Sequence, residues 1–203
     1  MPAWGDPAAS ILFAGLAPAA HGANRTGRMF TGDRSGDFLY AALYRAGWAS
    51  RPESRQRGDG LRLTEVWISA AVRCAPPANR PTPDEFDNCR GYLRAEIAAL
   101  PNLRVIVALG QLAHAQLLEI EAAWEAARRI PAPNGGSAPP FRRSQYPFAH
   151  GREHRLPSGP LLLDCYHPSQ QNTFTGKLTA AMMDAILHRA AEAAAHGRTI
   201  ISK

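Results

Sequence analysis

The chain has 203 residues, 45% of them hydrophobic, and a formal net charge of +6. This length suits one domain with a sizeable core over residues 1–203, and the sequence holds no run of about 18 consecutive apolar residues that would span a membrane. The N-terminus lacks the basic start and apolar stretch of a signal peptide, so a cytosolic protein is expected. The positive charge favours an anionic partner such as nucleic acid, although a merely basic soluble protein carries the same signal.

Four short segments along the chain are almost continuously apolar, as parallel strands buried on both faces are. They are residues 11–16, 66–72, 104–110 and 160–166. Segments with helical patterning lie between them. This alternation predicts an α/β fold, here a three-layer α/β/α sandwich with a mainly parallel, four-stranded central sheet.

The first two predicted helices begin at recognisable capping residues. One runs from a Ser35 cap to Gly47. The other begins after Thr82, with Pro83 in its first turn and Glu85 completing a capping box. Apolar positions of this second helix are spaced to form one face. They are Phe86, Tyr92, Leu93, Ile97 and Leu100.

Two further helices are expected, over residues 111–129 and 178–195. Residues 130–159, which lie between the predicted helix 111–129 and the predicted strand 160–166, break the alternation of strands and helices. They are rich in proline, glycine, arginine and serine, which predicts a long loop or an irregular insertion.

Three unusual segments follow the first, second and fourth predicted strands. They cover residues 15–33, 73–81 and 166–177. Ligands of open α/β sheets bind beyond the carboxyl ends of the strands. The three segments are therefore expected to meet at one edge of the sheet and to form a site there.

The first of these segments, GLAPAAHGANRTGRMFTGD, is a cationic, glycine-rich loop that ends on one carboxylate, Asp33. Its glycines permit tight turns and close approach of a ligand. Arg25 and Arg28 are candidate phosphate contacts. Phe30 can stack on a flat base, unless it only pins the loop to the core. Neither standard glycine-rich phosphate motif is present, which argues against an ordinary nucleotide cradle.

The other two segments carry polar groups. The amide of Asn79 suits the edge of a base, but a turn-forming asparagine is the simpler alternative. His167, stiffened by Pro168, can donate a hydrogen bond to a carbonyl or a developing anion, unless its role is structural. The polar residues that continue this segment are candidate DNA contacts. They are Ser169, Gln170, Gln171, Asn172 and Lys177.

Taken together, the three segments resemble the signature segments of the family 5 uracil-DNA glycosylases. The likeness runs in order through nearly the whole chain, and the segments are long and suitably spaced. It implies a uracil-DNA glycosylase fold and hydrolysis of the N-glycosidic bond of uracil, and of other deaminated or damaged bases, in DNA. The implied partner is DNA containing such bases, bound by a monomer that associates with the nucleoid through DNA.

The resemblance also implies roles for individual residues. Asp33 matches the acid that acts near the sugar, Phe30 the aromatic that stacks on the extruded base, and His167 the histidine that contacts a base carbonyl. Asn79 matches a pocket asparagine. The residues Gln170–Asn172 match a loop that enters the minor groove.

Small residues stand where stricter relatives carry a selective polar side chain. Ala17 lies in the first segment and Ala70 at the end of the second strand, and both are expected beside the base. A roomy pocket that accepts bases other than uracil is therefore expected.

The cysteines depart from the family pattern. Family members hold a [4Fe-4S] cluster with four thiolates, two of them at positions matched here by Cys74 and Cys89. The chain has three cysteines, and Cys165 matches no cluster position. The sequence either starts too late, has been trimmed, or belongs to a lineage without the cluster. A late start is favoured because Cys74 and Cys89 keep the cluster spacing.

Two other functions stay open from the sequence. A catalytically weak, damaged-DNA-binding protein of the same fold would keep the basic surface and the pocket, although the presence of Asp33 and His167 argues against it. An unrelated nucleotide-binding α/β protein is disfavoured by the missing phosphate-loop motifs.

Overall fold

The computed structural model describes residues 1–128 and 141–196. The strands of the described part form one six-stranded sheet in the order β1-β3-β2-β4-β6-β5. They are β1 (Trp4–Gly5), β2 (Ile11–Gly15), β3 (Val66–Ala70), β4 (Val105–Leu109), β5 (Glu153–Arg155) and β6 (Leu161–Cys165). The helices are α1 (Ala23–Thr26), α2 (Arg34–Arg45), α3 (Pro83–Ala99), α4 (Gln111–Arg128), α5 (Gln170–Phe174) and α6 (Ala180–His196).

The four central strands confirm the four that the sequence predicts. β2, β3, β4 and β6 pair in parallel, and nearly all of their side chains are buried, as their continuous apolar character indicates. The predicted count of four is nevertheless too low. β1 and β5 add antiparallel edge strands of two and three residues, which are too short to leave a hydrophobic pattern.

Helices cover both faces of this sheet, which confirms the three-layer arrangement. α2 and α6 pack on one face, where side chains such as Phe13 and Val107 point. On the other face, α3 and α4 contact a second core that contains Leu12 and Ile106. Successive strand residues alternate between the two cores, as the pleat requires. No described helix is both long enough and apolar enough to cross a membrane.

The helix boundaries confirm one predicted cap and correct the other. The capping box of α3 forms as expected, with the Thr82 hydroxyl and the Glu85 carboxylate each accepting from the other's backbone N–H. In α2, however, the cap is Asp33 and not Ser35. Asp33 keeps an extended backbone, and its carboxylate accepts from the Gly36 N–H at 2.9 Å. A predicted core position of α3, Tyr92, is instead 61% exposed.

Part of the predicted irregular insertion, residues 130–140, lies outside the described residues. Residues 141–159 are described and contain a 3₁₀ turn, Arg143–Gln145, and the strand β5, so this part is more regular than expected. A buried polar cluster joins it to the sheet. Asp164 of β6 bonds His114 of α4 at 2.7 Å and His154 of β5 at 3.2 Å. The end of β6 that leads to His167 is thereby fixed from two sides.

Candidate active site

A cavity of about 260 Å³ opens at the carboxyl edge of the sheet. Its walls come from the segments that follow β2, β3 and β6, as the topology predicts. The residues that line it are Leu16, Ala17, Pro18, Ala19, Ala23, Met29, Phe30, Asp33, Ser35, Asn79, His167 and Ser169. Most are apolar, and the few polar groups converge on one space, which is the usual composition of a small-ligand site.

Asp33 supplies the carboxylate of this cavity. Its Oδ1 accepts from the Gly36 N–H as the cap of α2, so the helix orients the side chain. Its Oδ2 lies against Gly22, so closely that a Cβ at position 22 would collide with it. The position of the carboxylate therefore depends on a glycine from the same loop and on a helix N-terminus that favours negative charge.

Phe30 is held in a strained conformation beside the carboxylate. Its φ is +51°, a left-handed conformation that costs a non-glycine residue about 1–2 kcal/mol. The ring lies against Gly15, where a methyl group would approach Phe30 Cζ to 2.7 Å, and its carbonyl packs on Gly36. Strain of this kind persists where the surroundings impose it and often marks a functional position.

His167 lies across the cavity from the first loop. Its ring centroid is 6.0 Å from that of Phe30, and its Cβ side is packed against Gly110. Burial lowers the pKa of His167 below its ordinary value, and the charge of Asp33 opposes that shift only in part. Within the described residues, neither ring nitrogen has a hydrogen-bond partner, so a neutral imidazole is available to a ligand.

This arrangement can bind and polarise a flat, polar ring. An aromatic side chain offers a stacking surface, and a neutral histidine offers a hydrogen bond to an exocyclic oxygen. A carboxylate in the same cavity can stabilise positive charge that develops nearby. The three groups are Phe30, His167 and Asp33, and all of them belong to one chain.

The remaining predicted pocket residues divide into two groups. Ala17 and Asn79 line the cavity, and Asn79 occupies the left-handed conformation that asparagine tolerates, with φ +54°. Ala70 does not line it. It is the last residue of β3 and is buried in the core on the α2 side, so the structure corrects its predicted contact with a base.

Arg28 is the clearest correction to the predicted DNA contacts. Its guanidinium is buried, donates to Asp59 at 2.8 Å and to Ser54 at 2.9 Å, and stacks on the ring of Trp4 with Cζ 4.3 Å from the centroid. A buried guanidinium that is already paired in this way has no free face for a phosphate.

The partners of Arg28 form a network that sequence reasoning missed. Burial alone would raise the pKa of Asp59, but the Arg28 guanidinium and three backbone N–H groups hold that pKa well below its usual range. Ser54 also bonds Thr31, and Tyr40 donates to the Met29 carbonyl. These contacts attach the loop that carries Phe30 and Asp33 to the segment after α2.

Other predicted DNA contacts do reach the surface. Arg25 is exposed on α1, and Gln170, Gln171 and Lys177 are exposed on or after α5. Ser169 lines the cavity and also caps α5.

Asn172 differs from its neighbours on α5 because it turns inward. Its amide donates to the His167 carbonyl at 2.9 Å, and its own carbonyl accepts from Leu178. The half-buried side chain therefore supports the histidine loop through its amide nitrogen. Ser35, which lines the cavity, was predicted only as a cap.

The cysteines do not form a complete cluster site. Cys74 is exposed, and Cys89 on α3 is half-buried with its Sγ accepting from the Arg73 N–H at 3.4 Å. Cys165 is buried in β6, where burial raises the pKa of its thiol to about 12, so it is a poor thiolate ligand. Three cysteines in the whole chain cannot supply four thiolates.

One other group of potential metal ligands exists among the described residues, namely His114, His154 and Asp164. Its atoms are already paired. Both ring nitrogens of His114 are engaged, one by Asp164 and the other by the Tyr146 carbonyl at 2.8 Å. The cluster is therefore complete as a hydrogen-bonded support for β6.

The chain is similar to known proteins over most of its length. The family model described as "Uracil DNA glycosylase superfamily" matches residues 2–191. A type-5 uracil-DNA glycosylase of Mycobacterium leprae is 50% identical over 191 residues, covering 94% of this chain and 76% of the relative. One from Thermus thermophilus is 49% identical over 190 residues, covering 94% and 78%. Another, from Mycobacterium bovis, is 49% identical over 191 residues, and the chain spans 65% of its length.

Proposed function

Because this chain belongs to the uracil DNA glycosylase superfamily, we propose that it is a monofunctional DNA glycosylase. It hydrolyses the N-glycosidic bond of uracil in DNA and leaves an abasic site, a step of DNA repair. The observation that carries this proposal is one cavity that holds Asp33, Phe30 and His167 together. The type-5 names of the relatives that share about half of its residues support the same function.

Recognition begins with a base outside the helix. The target atoms of a paired base are inaccessible, so an enzyme of this kind extrudes the nucleotide into a pocket. Phe30 stacks on the extruded base, and the neutral His167 donates to one of its carbonyl oxygens. Asn79 adds an amide at the mouth of the same cavity.

The bond between the sugar C1′ and the base nitrogen then breaks, and its electron pair leaves with the base. Asp33 stabilises the positive charge that develops on the sugar and orients a water molecule toward C1′. The water oxygen bonds C1′, and the proton that it loses ends on the base nitrogen. His167 stabilises the negative charge on the departing base through its hydrogen bond.

Finer features of the function follow from the same residues. All groups of the site come from one chain, so a monomer suffices, and the enzyme meets the nucleoid through its DNA substrate. Ala17 leaves space beside the base, which favours acceptance of other deaminated or damaged bases. The positions that the family resemblance assigns to an iron–sulfur cluster are filled here only by Cys74 and Cys89. No step of the proposed chemistry uses such a cluster.

Single-turnover release of uracil from a U:G duplex oligonucleotide tests this function. Asp33→Asn is the informative variant, because asparagine still caps α2 but carries no charge. We expect the wild type to release uracil, and the variant to do so about 10²- to 10³-fold more slowly. Asp37→Asn is the matched control, since Asp37 is an exposed acid in the same helical turn, and its rate should equal that of the wild type.

Two results would contradict the proposal. Full activity in Asp33→Asn would remove the central group of the mechanism. Tight binding of the duplex by folded wild-type protein, without any release of base, would instead identify a damaged-DNA-binding protein.

A further inference from the structure

Two exposed arginines stand on the segment of residues 51–62, between α2 and β3. They are Arg55 and Arg57, and within the described residues no acidic side chain pairs with either guanidinium. Arg51, from the same segment, instead pairs with the buried carboxylate of Asp59 at 2.9 Å. The one exposed acid of the segment is Glu53. The segment therefore offers two cations to a partner outside the chain.

The backbone that carries these arginines is fixed by Asp59. One oxygen of its carboxylate accepts from the Arg55 N–H at 2.9 Å and from the Gln56 N–H at 3.3 Å. The other accepts from the Leu61 N–H at 3.0 Å. These bonds hold the chain on both sides of Arg57. The backbone is thus ordered before a partner arrives, which lowers the entropic cost of binding.

The segment also packs on the loop that carries the acid of the site. The Arg57 N–H donates to a carbonyl of α1 at 2.9 Å, and a Cβ built on Gly27 would lie 3.4 Å from that of Arg57. Arg25, two residues before Gly27, lies with its Nη2 3.0 Å from a Cβ built on Gly32, the neighbour of Asp33. Cationic side chains therefore continue outward from the Asp33 side of the cavity.

We propose that Arg55 and Arg57 bind backbone phosphates of the duplex that flanks the extruded nucleotide. This inference rests on the proposed function, which makes DNA the ligand of the adjacent cavity. Duplex DNA carries closely spaced negative charges, and a guanidinium donates two parallel hydrogen bonds to a phosphate. Phosphate contacts fix the position of a protein on the duplex and do not read bases. The two arginines add affinity for duplex DNA without changing which base is released.

Binding titrations with a duplex oligonucleotide that lacks uracil, between about 50 and 200 mM salt, test this role. Arg57→Ala should reduce the slope of log affinity against log salt concentration by about 1, and the double variant Arg55→Ala, Arg57→Ala by about 2. Arg57→Lys should keep the slope of the wild type, because lysine also binds phosphate as a point charge. In single-turnover release of uracil from a U:G duplex, Arg57→Ala should raise the half-saturating enzyme concentration and leave the maximal rate unchanged.

Arg94→Ala is the matched control. It removes the same charge from an exposed position on α3, on the other face of the sheet, and should leave the slope unchanged. Unchanged slopes in the Arg57 and double variants would overturn the inference and leave the arginines to solvent or to an acidic protein. An equal decrease in Arg94→Ala would also overturn it, because net charge alone would then account for the effect. Absence of uracil release by the wild type would instead refute the proposed glycosylase function, whatever the slopes.

Discussion

The two loops that face each other across the cavity use similar residues in opposite ways. The loop of residues 15–33 turns several of its polar side chains inward, and Thr26, Arg28 and Thr31 are all buried. The segment of residues 166–178 turns most of its polar side chains outward, on α5 and just beyond it. The first loop is held to the core by its buried polar residues and carries Phe30 and Asp33. The second segment is mostly exposed and carries His167. The polar and cationic composition of a loop therefore does not indicate DNA contact unless its charged side chains are free of partners within the protein.

The largest effect is expected for Arg28, a cationic residue of the first loop that is buried and stabilises the fold. Arg28→Ala removes two charged hydrogen bonds, to Asp59 and to Ser54, and leaves Asp59 paired with Arg51 and with backbone N–H groups. It should lower the free energy of unfolding by about 2–3 kcal/mol. Urea denaturation followed by circular dichroism measures this change. Arg25→Ala in the same loop is the control, because Arg25 is exposed. Equal stability of the Arg28 variant and the wild type would mean that the network does not hold the loop.

Gly22 provides a second test of the rigid loop. Gly22→Ala places a Cβ against Asp33 Oδ2 and displaces the carboxylate. A misplacement of about 1 Å can cost about 10²-fold in rate, and we expect a loss of that order in single-turnover release of uracil, with DNA affinity unchanged. Gly91→Ala is the matched control, since no atom lies near a Cβ there. An unchanged rate in Gly22→Ala would show that the carboxylate position is not critical.

The lowered pKa of His167 predicts a pH dependence of stability. The pKa of His167 is lowered from an ordinary value of 6.5, so the folded protein binds fewer protons than the unfolded chain just below that pH. The ring therefore adds stability above pH 6.5, and this stability is lost as the pH falls toward the lowered value. Below pH 6.5 the free energy of unfolding should fall more steeply for wild type than for His167→Gln. Parallel slopes would refute the lowered pKa.

A variant of Asn172 distinguishes two roles for the second loop, support of His167 and contact with DNA. Asn172→Ala removes the hydrogen bond to the His167 carbonyl, a loss of about 1 kcal/mol, and should slow release of uracil by up to about tenfold on duplex and single strand alike. Gln171→Ala, its exposed neighbour, should change affinity for duplex but not the rate on a single strand. A loss confined to the duplex in Asn172→Ala would assign it to DNA contact.

The smallest effect is expected at Arg25. If this exposed arginine contacts one phosphate, Arg25→Ala should reduce the slope of log affinity against log salt concentration by about 1, without changing the preference between bases. Binding titrations between about 50 and 200 mM salt measure the slope. An unchanged slope would leave the first loop with no DNA contact of its own.

The parts of the fold that the sequence predicts are those that depend on local pattern. The four buried strands are continuous apolar runs, and the capping box at Thr82 is complete within four residues. β1 has no such pattern, since it is only two residues long. Ser35 and Asp33 are both good capping residues, and local propensity does not choose between them. The choice follows from the loop, which holds the backbone of Asp33 extended.

Site residues were predictable where topology alone brings them together. Phe30, Asp33 and His167 meet because parallel strands share a carboxyl edge. The role of Arg28 was not predictable, because its partner Asp59 lies 31 residues away in a segment without a distinctive pattern.

Asp33 is a helix cap and, in the proposed mechanism, also the acid of the site, and this combination bears on how other sequences of the family are interpreted. Serine or asparagine at this position would cap the helix about as well and would leave the domain folded. Neither would bring a negative charge to the sugar. A chain with such a residue would keep its fold, its pocket and its affinity for DNA, but its rate of base release would fall. On the proposed mechanism, the residue at position 33 therefore decides whether a chain of this fold hydrolyses the substrate that it binds.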